Sequence, residues 1–420
     1  MKQLTVAIAG CGSRGQDTYA KCQERFPDKM KIVAAADIRP EKLEQIKAAY
    51  GLRDDQCYNS AESMLKAGRL ADVMFVCTPD DCHYAHAMGA LALDYHLLLE
   101  KPISPTEDQC RDIEKLANER GRHVAVCHVL RYTVFYQKLK ELIDSGCVGE
   151  VVNIQANEQV AYWHQAHSFV RGNWRNAALS TPMILAKCCH DMDILLWLSG
   201  KHFLRVSSFG SLRHFRAEFA PEGAPARCTD GCPAADHCPY NAETFYMDKV
   251  NSGSLGWPVN VLAVNPTAEN VMNALRNGPY GRCVYHCDND VVDHQVLNME
   301  LEDGMTISFS MCAFTADNNR YIRIMGTHGE IAADMNAKYI DVMPFGKAKQ
   351  TIDVNELTTD FSGHGGGDAR LLEDFLDLVS GEKTQGGVLS NISASVESHL
   401  VALAAERSRL NGGRVEAIIR

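Results

Sequence analysis

Leu4-Thr-Val-Ala-Ile-Ala9 runs straight into Gly10-Cys11-Gly12-Ser13-Arg14-Gly15, and a stretch that can form a helix follows. A Gly-x-Gly-x-x-Gly match alone says little. It gains meaning from a strand before it, a helix after it and an acidic residue at the end of the next strand. That next strand is Ile32 to Ala36, and it ends on Asp37, 22 positions past Gly15, against an expectation of about 20. All three conditions are met. Gly10, Gly12 and Gly15 let the backbone turn tightly and approach a pyrophosphate, and Ser13 and Arg14 lie within the same turn. The phosphates would rest on the helix N-terminus, where unpaired N–H groups and the helix dipole favour anions. Asp37 is placed to accept hydrogen bonds from the adenosine ribose hydroxyls and to repel a 2′-phosphate, which favours NAD over NADP. Arg39 works against that preference.

Outward from this turn the alternation continues. Helix Pro40–Tyr50 precedes strand Val73–Cys77, helix His83–Leu93 precedes a strand from Leu97, and a helix ending at Gly121 precedes strand Val124–Cys127. The pattern specifies an α/β class with a doubly wound parallel sheet. Ligands of such sheets lie outside the carboxyl ends of the strands. Two strand ends carry polar clusters there: Thr78-Pro79-Asp80-Asp81-Cys82-His83, and Glu100-Lys101-Pro102 after Leu97-Leu98-Leu99.

The chain has 420 residues, 46% hydrophobic, with a net charge of −11. That is enough for two domains and too apolar for a disordered chain. With no basic block, the charge argues against nucleic acid or an anionic membrane as a partner. No run approaches the roughly 18 apolar residues of a spanning helix, and Gly10 comes too early for a signal-peptide core. A cytoplasmic location is expected, with the 16 cysteines reduced and mostly buried.

The Gly10–Gly15 fingerprint, Thr78-Pro79 with His83 downstream, and Glu100-Lys101-Pro102 together resemble the glucose–fructose oxidoreductase/inositol dehydrogenase/rhizopine-catabolism (Gfo/Idh/MocA) family, over most of the chain. The resemblance implies an N-terminal Rossmann domain and a C-terminal α+β domain whose large, mostly antiparallel open sheet forms the substrate pocket. It also implies that Thr78, Pro79 and His83 line the nicotinamide side, with Glu100 beside them, and that Lys101 reaches the reacting hydroxyl.

From His128 the texture changes. His128-Val129-Leu130-Arg131-Tyr132 leads into an amphipathic helix, Phe135–Ser145. Strands then follow without intervening helices, at Val151–Glu158 and across 283–354. Runs of strands after a βα half imply a separate α+β domain, so the expected division is 1–128 and 129–420. Arg131 and Tyr132 at this junction are candidate substrate contacts. So are Trp163, His164, Arg171 and Trp174, because aromatic faces stack on sugar rings while Arg and His satisfy hydroxyls.

Thr181-Pro182 reads as the opening of a helix that closes at Gly200. Positions three and four apart share a face, so Lys187, His190 and Asp191 would project together, and a nearby ammonium would keep the imidazole available as a base. The family resemblance implies Asp-x-x-x-His here, with the His as acid/base. This chain keeps His190 but has Ala186 in place of the carboxylate. A second departure, Cys228-Thr-Asp-Gly-Cys232-Pro-Ala-Ala-Asp-His-Cys238-Pro239, lies in an insert near 218–250. It has the short spacings of a structural zinc knuckle. Ser362-Gly-His364-Gly-Gly-Gly-Asp368 precedes a helix, and Ser390–Leu410 reads as the last one.

The function these readings support is oxidation of a secondary hydroxyl of a sugar, glycoside or cyclitol, with NAD as hydride acceptor, Lys101 and His190 as the catalytic pair and Lys187 beside them. A redox-neutral, NAD-dependent glycoside cleavage through a 3-keto intermediate is the rival enzyme reading. A non-catalytic NAD- or sugar-binding regulator is the rival outside enzymes. An open sheet in the second domain points to a homo-oligomer.

Overall fold

The computed structural model describes residues 3–383 and 391–420. Its first sheet comprises β1 (Leu4–Ala9), β2 (Met30–Ala36), β3 (Cys57–Tyr58), β4 (Val73–Val76), β5 (His96–Leu99) and β6 (Val124–Val126). All pairs are parallel, in the order β3-β2-β1-β4-β5-β6. The order reverses between β1 and β4, so the crevice of this doubly wound sheet opens above the ends of those two strands. Strands covered on both faces need continuous apolar runs, and Val73–Val76 and Leu97–Leu99 are buried throughout. Helix Pro40–Tyr50 starts with its proline at the first turn and ends on left-handed Gly51. Helix Glu107–Arg120 is capped by Thr106 and ends on left-handed Gly121.

The second sheet has nine strands: β7 (Val151–Ala161), β8 (Phe203–Ser211), β9 (His294–Leu301), β10 (Thr306–Thr315), β11 (Asn319–Gly326), β12 (Gly329–Asp334), β13 (Tyr339–Pro344), β14 (Gln350–Asp353) and β15 (Glu416–Ala417). Its order is β14-β13-β12-β11-β7-β10-β9-β8-β15, antiparallel except for the β7–β10 pair. Inward positions such as Ile154, Leu297, Met299, Ile307 and Phe309 pack on helix Cys189–Ser199.

Two features depart from the sequence reading. The insert is larger than expected and fills the whole path from the end of β8 to the start of β9, so residues 283–293 are not strand. It carries helices Ala242–Asn251 and Ala268–Asn277, one small apolar cluster of its own and a second shared with Ala166 and Val170. The late helices return to the first half: Leu372 and Phe375 of Ser362–Ser380 pack with Ile8 and Phe75, and Val396 and Leu400 of Ile392–Leu410 pack with Val76 and Leu97. A single cut near 128 therefore separates strands, not cores. Ser390, read as the start of the last helix, lies outside the described residues, and Asn391 caps that helix through its side chain. Among the described residues no helix is long and apolar enough to cross a membrane.

Candidate active site

The Gly10–Gly15 turn needs its glycines for different reasons. Gly10 has φ of 90°, and a Cβ there would fall 2.4 Å from the carbonyl oxygen of Cys77. A Cβ on Gly15 would fall 1.9 Å from the carbonyl oxygen of Gly10, so the helix could not seat against the turn. At Gly12 the nearest atom is the Arg39 guanidinium at 3.5 Å, which leaves the space a pyrophosphate would occupy. Asp37 is buried at the end of β2. Its Oδ2 accepts from the N–H of Cys11 at 2.7 Å and its Oδ1 from the N–H of Arg39 at 2.9 Å. The Arg39 side chain folds onto the same carboxylate, with Nε at 3.2 Å from Oδ1. These residues fit an NAD: an open cradle at Gly12 and a fixed carboxylate at the second strand's end.

Arg14 does not face the cradle. Its guanidinium turns inward and donates to Glu100 at 2.5 Å, to Asp368 at 2.7 Å and to the Tyr19 hydroxyl at 2.5 Å. The expected phosphate contact is instead a brace between the Gly-rich turn, the end of β5 and helix Ser362–Ser380. Burial works to raise the Glu100 carboxyl, but Arg14 and Lys101 outweigh it and hold the group below its ordinary range. His83 is likewise buried. Its two ring nitrogens lie 2.7 Å from the Pro102 carbonyl and 2.8 Å from the Thr78 carbonyl, so it ties the two polar loops together rather than facing a ligand. The Thr78 hydroxyl pairs with His86 Nδ1 at 2.9 Å. Pro79 immediately precedes the single turn Asp80–Cys82.

Lys101 reaches across the seam. Its Nζ donates to the carbonyl of Ala186 at 3.0 Å. The segment read as one helix is two, Met183–Ala186 and Cys189–Ser199, broken at Lys187 and Cys188, and Pro182 is the cap rather than the first helical residue. The break undoes the expected Lys187–His190 face. Lys187 Nζ lies 3.1 Å from buried Glu158, whose other oxygen lies 2.6 Å from Arg320, and Arg320 Nε donates to Asp191 at 2.8 Å. Lys187 thus belongs to a four-residue charge network on the β7–β11 side of the site. Within it, burial, joined by the Glu158 charge, pushes the Asp191 carboxyl up against the pull of Arg320.

His190 is buried beside His128 and His364, with ring centroids 5.9 Å and 6.2 Å away. Burial first, then the charges of Lys101, His128, Arg320 and His364, hold its imidazole well below the ordinary histidine range. His164 sits nearby with Nδ1 at 2.8 Å from the Asn318 side chain; burial and then Lys187 press its pKa down as well.

The remaining candidate substrate residues disperse. Arg131 donates twice to Asp193, both at 2.6 Å, in a buried fork, and Tyr132 reaches Asp374 at 3.3 Å, also buried. Arg171 donates to the carbonyls of Arg282 and Tyr240 inside the insert. Trp174 Nε1 donates to Asp80 at 2.9 Å, joined there by Ser180, so it fastens the second half to the cofactor side. Of that set only Trp163 and His164 stand in a partly open aromatic group, with Phe245 and Trp257. Sequence reasoning ranked these residues by type, and the fold spends most of them on tertiary contacts. His128 and the Glu158–Arg320 pair carried no motif and were missed.

The zinc expectation is not supported. Among the described residues no group of three or more His, Cys, Asp or Glu is placed to hold a metal ion. Cys228, Cys232 and Cys238 line a small cavity with Cys283, Pro221, Tyr240 and Tyr285. Burial pushes the Cys238 and Cys283 thiols up.

The fold joins a parallel, dinucleotide-binding sheet to a mostly antiparallel one, and Lys101 bonds across the seam to the Ala186 carbonyl. Family models agree. Residues 4–128 match the Gfo/Idh/MocA oxidoreductase family's NAD-binding Rossmann fold, and residues 140–417 match its C-terminal alpha/beta domain. The chain belongs to the Gfo/Idh/MocA family of NAD-binding oxidoreductases. It is 25% identical over 404 residues to the putative oxidoreductase YteT of Bacillus subtilis, covering 88% of this chain and 87% of that one. It is also 25% identical over 206 residues to an inositol 2-dehydrogenase of Pseudomonas fluorescens, covering 48% of this chain and 56% of the relative. In fold it is similar to the WlbA dehydrogenase of Bordetella pertussis in complex with NADH and UDP-GlcNAcA, with a TM-score of 0.70 at 17% identity over 100% of this chain and 99% of that one.

Proposed function

We propose that this chain oxidises a secondary hydroxyl of a sugar, glycoside or cyclitol. The observation that carries the reading is the meeting of Lys101, from the end of β5, with the interrupted helix that bears His190, fixed by the 3.0 Å bond from Nζ to the Ala186 carbonyl. Gly10, Gly12, Gly15 and Asp37 would hold NAD, and the bound nicotinamide would supply a hydride acceptor. Lys101 polarises the substrate oxygen and stabilises negative charge as it develops. His190, neutral in its buried setting, accepts the hydroxyl proton. The Lys187–Glu158–Arg320–Asp191 network, which takes Lys187 and Asp191 from the same helical segment as His190, would supply charged donors and acceptors to further hydroxyls. Relatives that include an inositol 2-dehydrogenase support this substrate class.

The test is NADH formation by the protein with NAD+ and a panel of sugars, methyl glycosides and cyclitols. The expected result is stoichiometric NADH with no bond cleavage. Aglycone release without net NADH would replace the reading with redox-neutral glycoside cleavage, and nucleotide binding without turnover would replace it with a regulator. Self-association through the open sheet belongs to the same reading, and a monomeric mass in solution would remove it.

A further inference from the structure

A histidine–carboxylate pair faces His190 from outside the helix that carries it. Four successive residues before the regular part of helix Ser362–Ser380 have positive φ: Gly363 at 28°, His364 at 43°, Gly365 at 67° and Gly366 at 80°. Such a conformation is uncommon for a residue with a side chain and persists where its surroundings hold it. Here His364 Nδ1 lies 3.1 Å from Oδ2 of Asp368, while Asp368 Oδ1 accepts from Arg14 at 2.7 Å. A Cβ on Gly363 would fall 2.5 Å from that Oδ2, and one on Gly367 would fall 2.3 Å from the carbonyl of Val129. The turn is thus packed so that a side chain at Gly363 would press on the dyad and one at Gly367 on the Val129 backbone.

Asp368 is buried. Burial works to raise its carboxyl, but the bond from His364 and the charge of Arg14 hold it far below its ordinary range, so it is an anion. An anion at Nδ1 fixes the proton there and leaves Nε2, directed away from Asp368, as the acceptor. The His364 side chain is 45% exposed, so this ring has a way to water that buried His190 lacks. His190 is also a poor place for a proton to remain, because burial disfavours its charged form and the Lys101 charge adds to that. The residue four before His190 is Ala186, so no carboxylate stands one turn before that histidine. A carboxylate is present in the site after all, against His364.

We propose that His364, oriented by Asp368, is the second acid–base residue of this site, passing to solvent the proton that His190 takes from the substrate hydroxyl. The substrate O–H bond breaks as an N–H bond forms on His190. That proton then moves through one bridging water to His364 Nε2, because rings with centroids 6.2 Å apart do not touch nitrogen to nitrogen, and leaves to solvent, while the electron pair of the C–H bond departs with the hydride to the nicotinamide. The proposal rests on the dehydrogenase reading above.

The test uses the full chain with NAD+ and, as probes, myo-inositol and methyl β-glucoside. His364→Ala lowers kcat about 100-fold with KM little changed, and added imidazole restores roughly tenfold of the loss, as expected for general acid–base transfer through a solvent-open position. Asp368→Asn shifts the pH profile of kcat. Turnover near wild type in His364→Ala, or a loss that imidazole does not relieve at unchanged melting temperature, would overturn the relay. If wild type turns over neither probe, the dehydrogenase reading fails for those probes. Long-range ¹H–¹⁵N spectra of histidine-labelled protein still decide the dyad: His364 is expected as the Nδ1–H tautomer, redistributed in Asp368→Asn, and an Nε2–H tautomer in wild type would refute it.

Discussion

Arg131→Met separates a tertiary role from a substrate-binding one. Arg131 and Asp193 form two hydrogen bonds of 2.6 Å, with side chains only 6% and 1% exposed, and the guanidinium also lies over the Trp197 ring. Methionine keeps much of the apolar contact but removes the charge, leaving the Asp193 carboxylate buried without its guanidinium. Breaking a buried pair from one side costs about 3–5 kcal/mol, against a total stability of about 5–15 kcal/mol for a typical domain. Urea unfolding followed by circular dichroism should show that loss. The double variant Arg131→Met/Asp193→Leu should recover most of it, since no buried charge remains. KM for the sugar substrate should stay where it was. A loss below about 1 kcal/mol, the range of an exposed pair, or no recovery in the double variant, would refute the reasoning. A large rise in KM without loss of stability would return Arg131 to the substrate site.

Gly15→Ala places a methyl 1.9 Å from the Gly10 carbonyl oxygen, so the helix must move off the turn; calorimetric titration should show NAD+ binding weakened by at least about tenfold, or 1.4 kcal/mol. Unchanged affinity would mean that the turn is not the dinucleotide cradle. His128 is buried and its pKa is pressed down to about 4, chiefly by burial, against about 6.5 in the unfolded chain. Stability from keeping it neutral is therefore complete above about pH 6.5 and is lost as pH falls toward about 4, at up to 1.4 kcal/mol per pH unit. His128→Phe should flatten that acid slope by close to one proton in urea titrations across this window; an unaltered slope would contradict the assignment.

The first half of the fold was legible because its signals are local and mutually reinforcing. A Gly turn, an Asp at the next strand's end and apolar runs of strand length leave one arrangement, and helix Pro40–Tyr50 matches its expected bounds at both ends. The second sheet was legible as a run of strands, but its β7–β10 parallel pair joins residues about 150 positions apart, which no local pattern encodes. The site divides in the same way. Lys101 and His190 follow from motifs, and the structure brings both to the seam. Arg14, Arg131, Arg171 and Trp174 are of the right type for ligands, yet each has a buried or interdomain partner that the sequence does not reveal. The Lys187–His190 pairing failed on one break in a helix, at Lys187 and Cys188, where the periodicity gave no warning.

Lys101 carries the account, and its removal is the most direct test. Lys101→Met should lower kcat and kcat/KM together by about 10²–10³, the scale of losing one preorganised donor to a developing oxyanion, while NAD+ affinity and melting temperature stay near those of wild type. Unchanged kinetics on a substrate that wild type oxidises would contradict the central claim.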